Sequence, residues 1–246
     1  MRAAFSRSRT GLAGAVIAVS LAAGAVSCAD GKSADATPDW STGPTELCGG
    51  NAVSAEAGKA LKVITGASRF EGSGPDGTVA FAAKWLGEGY DSPAPNDGDI
   101  CHIYAKNSAA ADRLEATWML VWGPLKGEPA AKFRVLPMGV RALAAPDAGS
   151  IRFACRSEKL PGSTPAHIHI DVERRSLKDP EGDPEQLTDA YATVVHSFAL
   201  AMAKELRCEN DGGLEPRPVL DPRVTHGAAV VSPAGTVAVD QGKVPE

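Results

Sequence analysis

Four cysteines, Cys48, Cys101, Cys155 and Cys208, stand at nearly equal intervals along this 246-residue chain, 53, 54 and 53 positions apart. In an exported chain an even set of cysteines reads as a disulfide framework, and covalent staples narrow the accessible topologies more than any helix or strand propensity does. Neighbour-to-neighbour bridges, Cys48 with Cys101 and Cys155 with Cys208, would close two loops of equal length, one in each half of a domain. The other two pairings stay open on spacing alone. In the loop-closure account each bridge stabilises by about 3 to 4 kcal/mol, a large share of the ~5 to 15 kcal/mol that holds a domain together. Zinc is the competing use of four cysteines, and the chain has no Cys-x-x-Cys knuckle to support it.

Export is written in the first 28 residues. Arg2, Arg7 and Arg9 make a cationic start, and Gly11 to Val26 is apolar apart from Ser20. That run is short and Gly/Ala-rich for a spanning helix and has the layout of a signal peptide. Ala25-Val26-Ser27-Cys28 resembles the lipobox of bacterial lipoproteins, with Ala25 where Leu is usual. The resemblance implies cleavage after Ser27 and acylation of Cys28, palmitate being a typical chain. The mature protein would then sit on the outer face of the cytoplasmic membrane, its first partner being the bilayer itself. Two or three acyl chains on one terminus give stable attachment.

Residues 1–27 carry three arginines and no acid, so their loss takes the formal charge from −5 to −8. An acidic mature chain lacks the basic footprint of a nucleic-acid binder, and it gains nothing from anionic lipid. Residues 28–44 are rich in Asp, Gly, Ser, Thr and Pro and read as a flexible tether. Residues 45–209 hold the periodic segments of a globular domain. From 210 to 246 prolines and glycines break any period, which predicts a mostly disordered tail with short extended pieces at Ala228 to Val231 and Thr236 to Val239.

Within the domain, Ser54 caps a helix carrying Ala57, Ala60, Leu61 and Ile64 before Gly66. Gly77 to Leu86 fits either a helix or a buried strand. After a Pro/Asp/Gly-rich loop from Gly87 to Asp99, six extended runs follow: Ile100–Ala105, Leu114–Trp122, Phe133–Leu136, Val140–Ala144, Ile151–Arg156 and His167–Arg174. Leu114–Trp122 is apolar on both faces near its end and reads as central. In the last run Ala166, Ile168, Ile170 and Val172 alternate with His167, His169, Asp171 and Glu173, a strand with one wet face. Asp183-Pro184-Glu185-Gln186 then places an N-cap, a first-turn proline, an acid and a capping-box residue in register. A stripe from Leu187 through Tyr191, Val195, Phe198 and Met202 to Leu206 makes a long closing helix. The fold class expected is α+β: a mainly antiparallel sheet of five or six strands covered by an N-terminal helix and a long C-terminal helix.

The one ligand-like cluster is His167-x-His169-x-Asp171, three donors on one strand face at a spacing compatible with zinc or copper. The same residues are also what an amphipathic strand continued by Glu173 and Arg175 would show. The acids Asp179, Glu181, Asp183 and Glu185 could attract calcium, but two prolines interrupt them and capping accounts for the last pair. His196 falls beside the apolar stripe of the closing helix and reads as a partly buried helix histidine. Trp118 and Trp122 are candidates for a ligand cleft or, more simply, for the core. No Gly-x-Ser-x-Gly, no Ser-x-x-Lys set and no phosphate loop is present, and Gly72-Ser73-Gly74 lacks the strand-to-helix context of a nucleophile elbow.

The leader ending at Cys28, the segment Glu46-Leu47-Cys48-Gly49-Gly50 before a helix, and the helix with Ala199-x-x-x-Ala203 ending at Leu206-Arg207-Cys208 resemble uncharacterised actinobacterial cell-envelope lipoproteins. The likeness covers residues 1–208. It implies an envelope location and a two-disulfide α+β domain, and transfers no catalytic residue. The expected function is a surface-tethered, non-catalytic module that binds an envelope protein or a small ligand, with a zinc- or copper-binding protein as the alternative. About 160 folded residues without a two-lobed α/β pattern are too few for the clamshell of a transporter's substrate-binding component.

Overall fold

A computed structural model describes residues 41–92, 97–106, 108–109, 112–123 and 127–222. The leader, Cys28, most of the expected tether and the expected extended pieces at 228–231 and 236–239 lie outside the described residues.

Among the described residues three α-helices form where local chemistry sets their ends. In α1 (Ala55–Thr65) the Ser54 hydroxyl accepts from the Ala57 N–H at 3.1 Å, and Gly66 closes the helix at φ 70°. The ambiguous segment is a helix, α2 (Val79–Gly89), because Thr78 offers the same cap to the Phe81 N–H at 3.1 Å. Asp183 caps α3 (Pro184–Glu205) through the Gln186 N–H at 2.9 Å, with Pro184 in the first turn. Tyr191, Val194, Val195, Phe198 and Met202 of this helix are all fully buried.

Seven strands make one antiparallel sheet: β1 (Phe70–Gly72), β2 (Asp97–Ala105), β3 (Arg113–Leu120), β4 (Arg134–Leu136), β5 (Arg141–Ala145), β6 (Ala148–Cys155) and β7 (Ala166–Arg175), in the order β1-β2-β3-β7-β6-β5-β4. Two meanders, β1 to β3 and β4 to β7, are thus joined where β7 pairs with β3. β3, from the run expected to be central, is flanked on both sides, and β7, its central neighbour, shows the expected half-buried alternation. The count exceeds the five or six strands expected because β1 is only three residues long and too short to show alternation. Phe70 is nevertheless fully buried and pairs with Ala105. Two boundaries also moved. β2 begins at Asp97, inside the expected loop, since a bulge at Ile100 breaks its regular alternation. β3 ends at Leu120, which leaves Trp122 69% exposed against Tyr90 and not in the core.

The helices cover one face. α3 runs across β5, β6 and β7 and packs on α1. Gly149 in β6 permits this: a Cβ there would stand 2.9 Å from the Tyr191 carbonyl oxygen. The two disulfides are the neighbour-to-neighbour pairs, Cys48–Cys101 and Cys155–Cys208. One ties the segment before α1 to β2, and the other ties the end of α3 to β6.

The chain does not leave the domain at residue 210, where the tail was expected to start. A 3-10 segment follows at Glu209–Gly213, Leu214 is 5% exposed, and Val219 and Leu220 pack against the core. His196 of α3 and Glu56 of α1 both reach this segment, at Glu215 and Arg217. No described helix is long and apolar enough to cross a membrane.

Candidate functional site

The face of the sheet turned away from α3 carries the polar row expected on β7. His169 stands between Arg152 of β6 and Met119 of β3, and Asp171 between Ser150 and Thr117. The His169 Nε2 and Asp171 Oδ2 atoms are 2.7 Å apart, whereas His167 is not joined to them. Burial, and then the Arg152 guanidinium, pull the His167 pKa below its ordinary value. Arg152 is 4% exposed, and its Nη2 donates to the Gly123 carbonyl at 2.6 Å. A dication held by these histidines would therefore meet a buried positive charge across the strand. Among the described residues no group of three His, Cys, Asp or Glu side chains is placed to hold a metal ion.

Further along the face the charges pair with one another. Glu115 accepts from Arg175 Nε at 2.7 Å and from Arg113, while Arg175 Nη2 lies 3.2 Å from Glu173. Burial pushes the Glu115 pKa upward, but the two arginine hydrogen bonds outweigh it and hold the carboxyl below the ordinary range. This end of the row is an ion-pair network and offers no open coordination. Of the acids considered for calcium, Asp183 is engaged as a helix cap.

A second place has the shape of a site. Where β1 stops at Gly72, the first half of β2 faces α2 across a cleft of about 390 Å³. Phe81 and Trp85, one turn apart on α2, form one wall, their rings stacked at 6.3 Å with an interplanar angle of 19°. They are 40% and 60% exposed, more than a helix in contact with solvent requires of its largest apolar residues. Gly98 to His102 of β2 form the other wall, with Trp118 behind them and Ser73, Asp76 and Gly77 at the end. The two strands approach closely here: a Cβ on Gly98 would stand 3.2 Å from the Trp118 Nε1.

The bulge at Ile100 shapes this wall. Residues three apart on a regular strand point to opposite faces, yet Asp99 and His102 come together, Oδ2 to Nε2 at 3.7 Å, while Ile100 and Cys101 both turn inward at 1% exposure. Cys101 is anchored by its bridge to Cys48. Ser73, His102 and Asp99, the residue types of a nucleophilic triad, thus line one cleft without forming one. The Ser73 hydroxyl accepts from the His102 backbone N–H at 2.5 Å, and the imidazole Nε2 faces Asp99 instead of the serine.

Of the residues singled out in the sequence, Trp118, Cys101 and Ser73 line this cleft. Phe81, Trp85, Asp76, Asp99 and His102 were missed. The available sign was a Phe and a Trp four residues apart on a helix whose buried positions, Val79, Ala82, Ala83 and Leu86, already complete an inward stripe. Comparisons with family models, with curated proteins and with solved structures returned no match.

Proposed function

We propose that this chain is a lipid-anchored, non-catalytic binding module of the cell envelope, cleaved before Cys28 and displayed outside the cytoplasmic membrane. The observation that carries the binding role is the cleft between α2 and β2, with exposed Phe81 and Trp85 on one wall and the Cys48–Cys101 disulfide bracing the other. A rigid apolar concavity with a few polar groups is the usual form of a small-ligand site. Two disulfides are compatible with an extracellular setting. The leader and its lipobox resemblance supply the anchor.

Labelling cells of the native host with a palmitate analogue tests the anchor. Label on the wild-type protein, and none on a Cys28→Ala variant that appears in the medium, is the expected result. Equal release of both forms would remove the lipoprotein reading. Crosslinking in the same cells, followed by mass spectrometry, tests the binding role: a reproducible adduct that Trp85→Ala loses supports it. A zinc- or copper-binding function through His167, His169 and Asp171 has the His169–Asp171 contact in its favour and the Arg152 charge against it. Stoichiometric metal uptake lost in His169→Ala would reinstate it.

A further inference from the structure

The charge around the cleft selects a ligand class. Between Ser73 and His102 the sequence places five carboxylates, Asp76, Glu88, Asp91, Asp97 and Asp99, against one lysine, Lys84. That lysine is already paired with Glu88 at 3.3 Å. Asp76 and Asp99 line the cleft itself, and among the described residues no lysine or arginine does. Among the described lining residues the one other basic side chain is His102, and it faces Asp99.

Three kinds of guest can be compared on this wall. An anion would be repelled by both carboxylates. A neutral apolar guest would cover the rings but strip water from Asp76 and Asp99 without replacing it. A cation on an apolar body meets attraction from both sources, because the aromatic ring faces carry negative potential and the carboxylates carry full charge. The volume of about 390 Å³ lies at the small end of ligand sites, which suits a small molecule and not a folded partner. Trp118, 2% exposed, closes the cleft behind Gly98 and leaves Phe81 and Trp85 as its exposed aromatic surfaces.

We propose that the α2/β2 cleft binds a small organic cation, an ammonium group on an apolar body, with its head toward Asp76 and Asp99 and its body against Trp85 and Phe81. The proposal rests on the binding-module reading and narrows it to one chemistry.

The experiment follows the tryptophan indole N–H resonances of the disulfide-intact mature chain while choline is added, and in parallel its neutral carbon isostere, 3,3-dimethylbutan-1-ol. N-Acetylglucosamine serves as the neutral polyhydroxy probe. The expected result is a saturable shift of the Trp85 resonance by choline, with the isostere about threefold weaker or more. A double variant, Asp76→Asn with Asp99→Asn, should narrow the gap between choline and the isostere to the part the rings supply, without changing binding of the isostere itself. Trp85→Ala should weaken both, assessed on the Trp118 resonance. All three substituted side chains are exposed, and a thermal melt of each variant confirms its fold. Equal binding of choline and isostere would overturn the proposal. So would stronger binding of the sugar, which would leave the binding-module reading intact with another ligand class. Absence of any saturable shift would overturn the proposal and also remove this cleft as the module's site.

Discussion

His196 is 3% exposed, and its Nε2 lies 3.0 Å from the Glu215 carbonyl, so a single imidazole links α3 to the last described segment. Burial pulls its pKa below the ordinary value, outweighing the opposing effect of the Glu215 bond. The sign of the consequence is determined: above pH ~6.5 the ring is neutral in both folded and unfolded chains, and the fold pays nothing. As pH falls through that value the unfolded chain takes the proton first, so stability declines until the folded ring also protonates. His167, depressed by burial and Arg152, acts in the same direction. Urea midpoints of the wild type should therefore drop between pH 7.5 and 5, and His196→Gln should show a shallower drop. Parallel pH dependence in the two proteins would place the sensitivity elsewhere. Tyr191 is the opposite kind of buried group. Its hydroxyl has no hydrogen-bond partner among the described residues, and burial keeps it protonated. Tyr191→Phe removes an unsatisfied donor at almost constant shape, so the melting temperature should hold or rise, by about 1 kcal/mol of stability at most.

At the scale of elements, the helices owe their boundaries to single side chains. Asp183→Ala leaves the Gln186 N–H at the start of α3 without its cap and should cost about 1 kcal/mol, read as a shift in denaturation midpoint with unchanged slope. Thr78→Ala should cost a similar amount, and it carries additional information because α2 forms the aromatic wall of the cleft. If α2 frays without that cap, the Trp85 environment changes before the global transition, which fluorescence would detect as an early step. Strand β2 shows how one irregularity creates a surface. Without the bulge at Ile100, Asp99 and His102 would point to opposite faces and the cleft would lose its polar corner.

For the whole molecule, the two disulfides divide the work. Cys48–Cys101 holds the N-terminal segment on the first meander, and Cys155–Cys208 holds the end of α3 on the second. Replacing Cys155 and Cys208 together by serine should cost about 2 to 5 kcal/mol, measured by urea denaturation. The loss should be felt most in the 209–220 segment, which follows Cys208 and whose Glu209 N–H donates to the carbonyl of Arg156, next to Cys155. Early hydrogen exchange confined to that segment is the expected signature. A loss spread evenly over the domain would show instead that the two meanders unfold as one unit.

Much of this architecture could be read without coordinates, because it follows from local patterns. The caps at Ser54 and Asp183, the alternation of β7, the apolar stripe of α3 and the equal cysteine intervals each depend on residues close in sequence. The α+β class and the favoured disulfide pairs followed from them. The polar row of His167, His169 and Asp171 was visible for the same reason. Its surroundings were not, since Arg152 reaches it only through the pairing of β6 with β7. The cleft was hidden for a stronger reason: its walls come from α2, β2 and β3, and its polar corner from a bulge that no periodicity announces. The order of the described 210–220 segment escaped as well, because its prolines and glycines describe the absence of regular structure and say nothing about packing against α1 and α3. What the sequence by itself determined is the set of elements and their covalent staples, where short-range chemistry decides. Which side chains meet across strands, and where an aromatic wall faces carboxylates, only the tertiary structure decided, because those contacts join positions far apart in the chain.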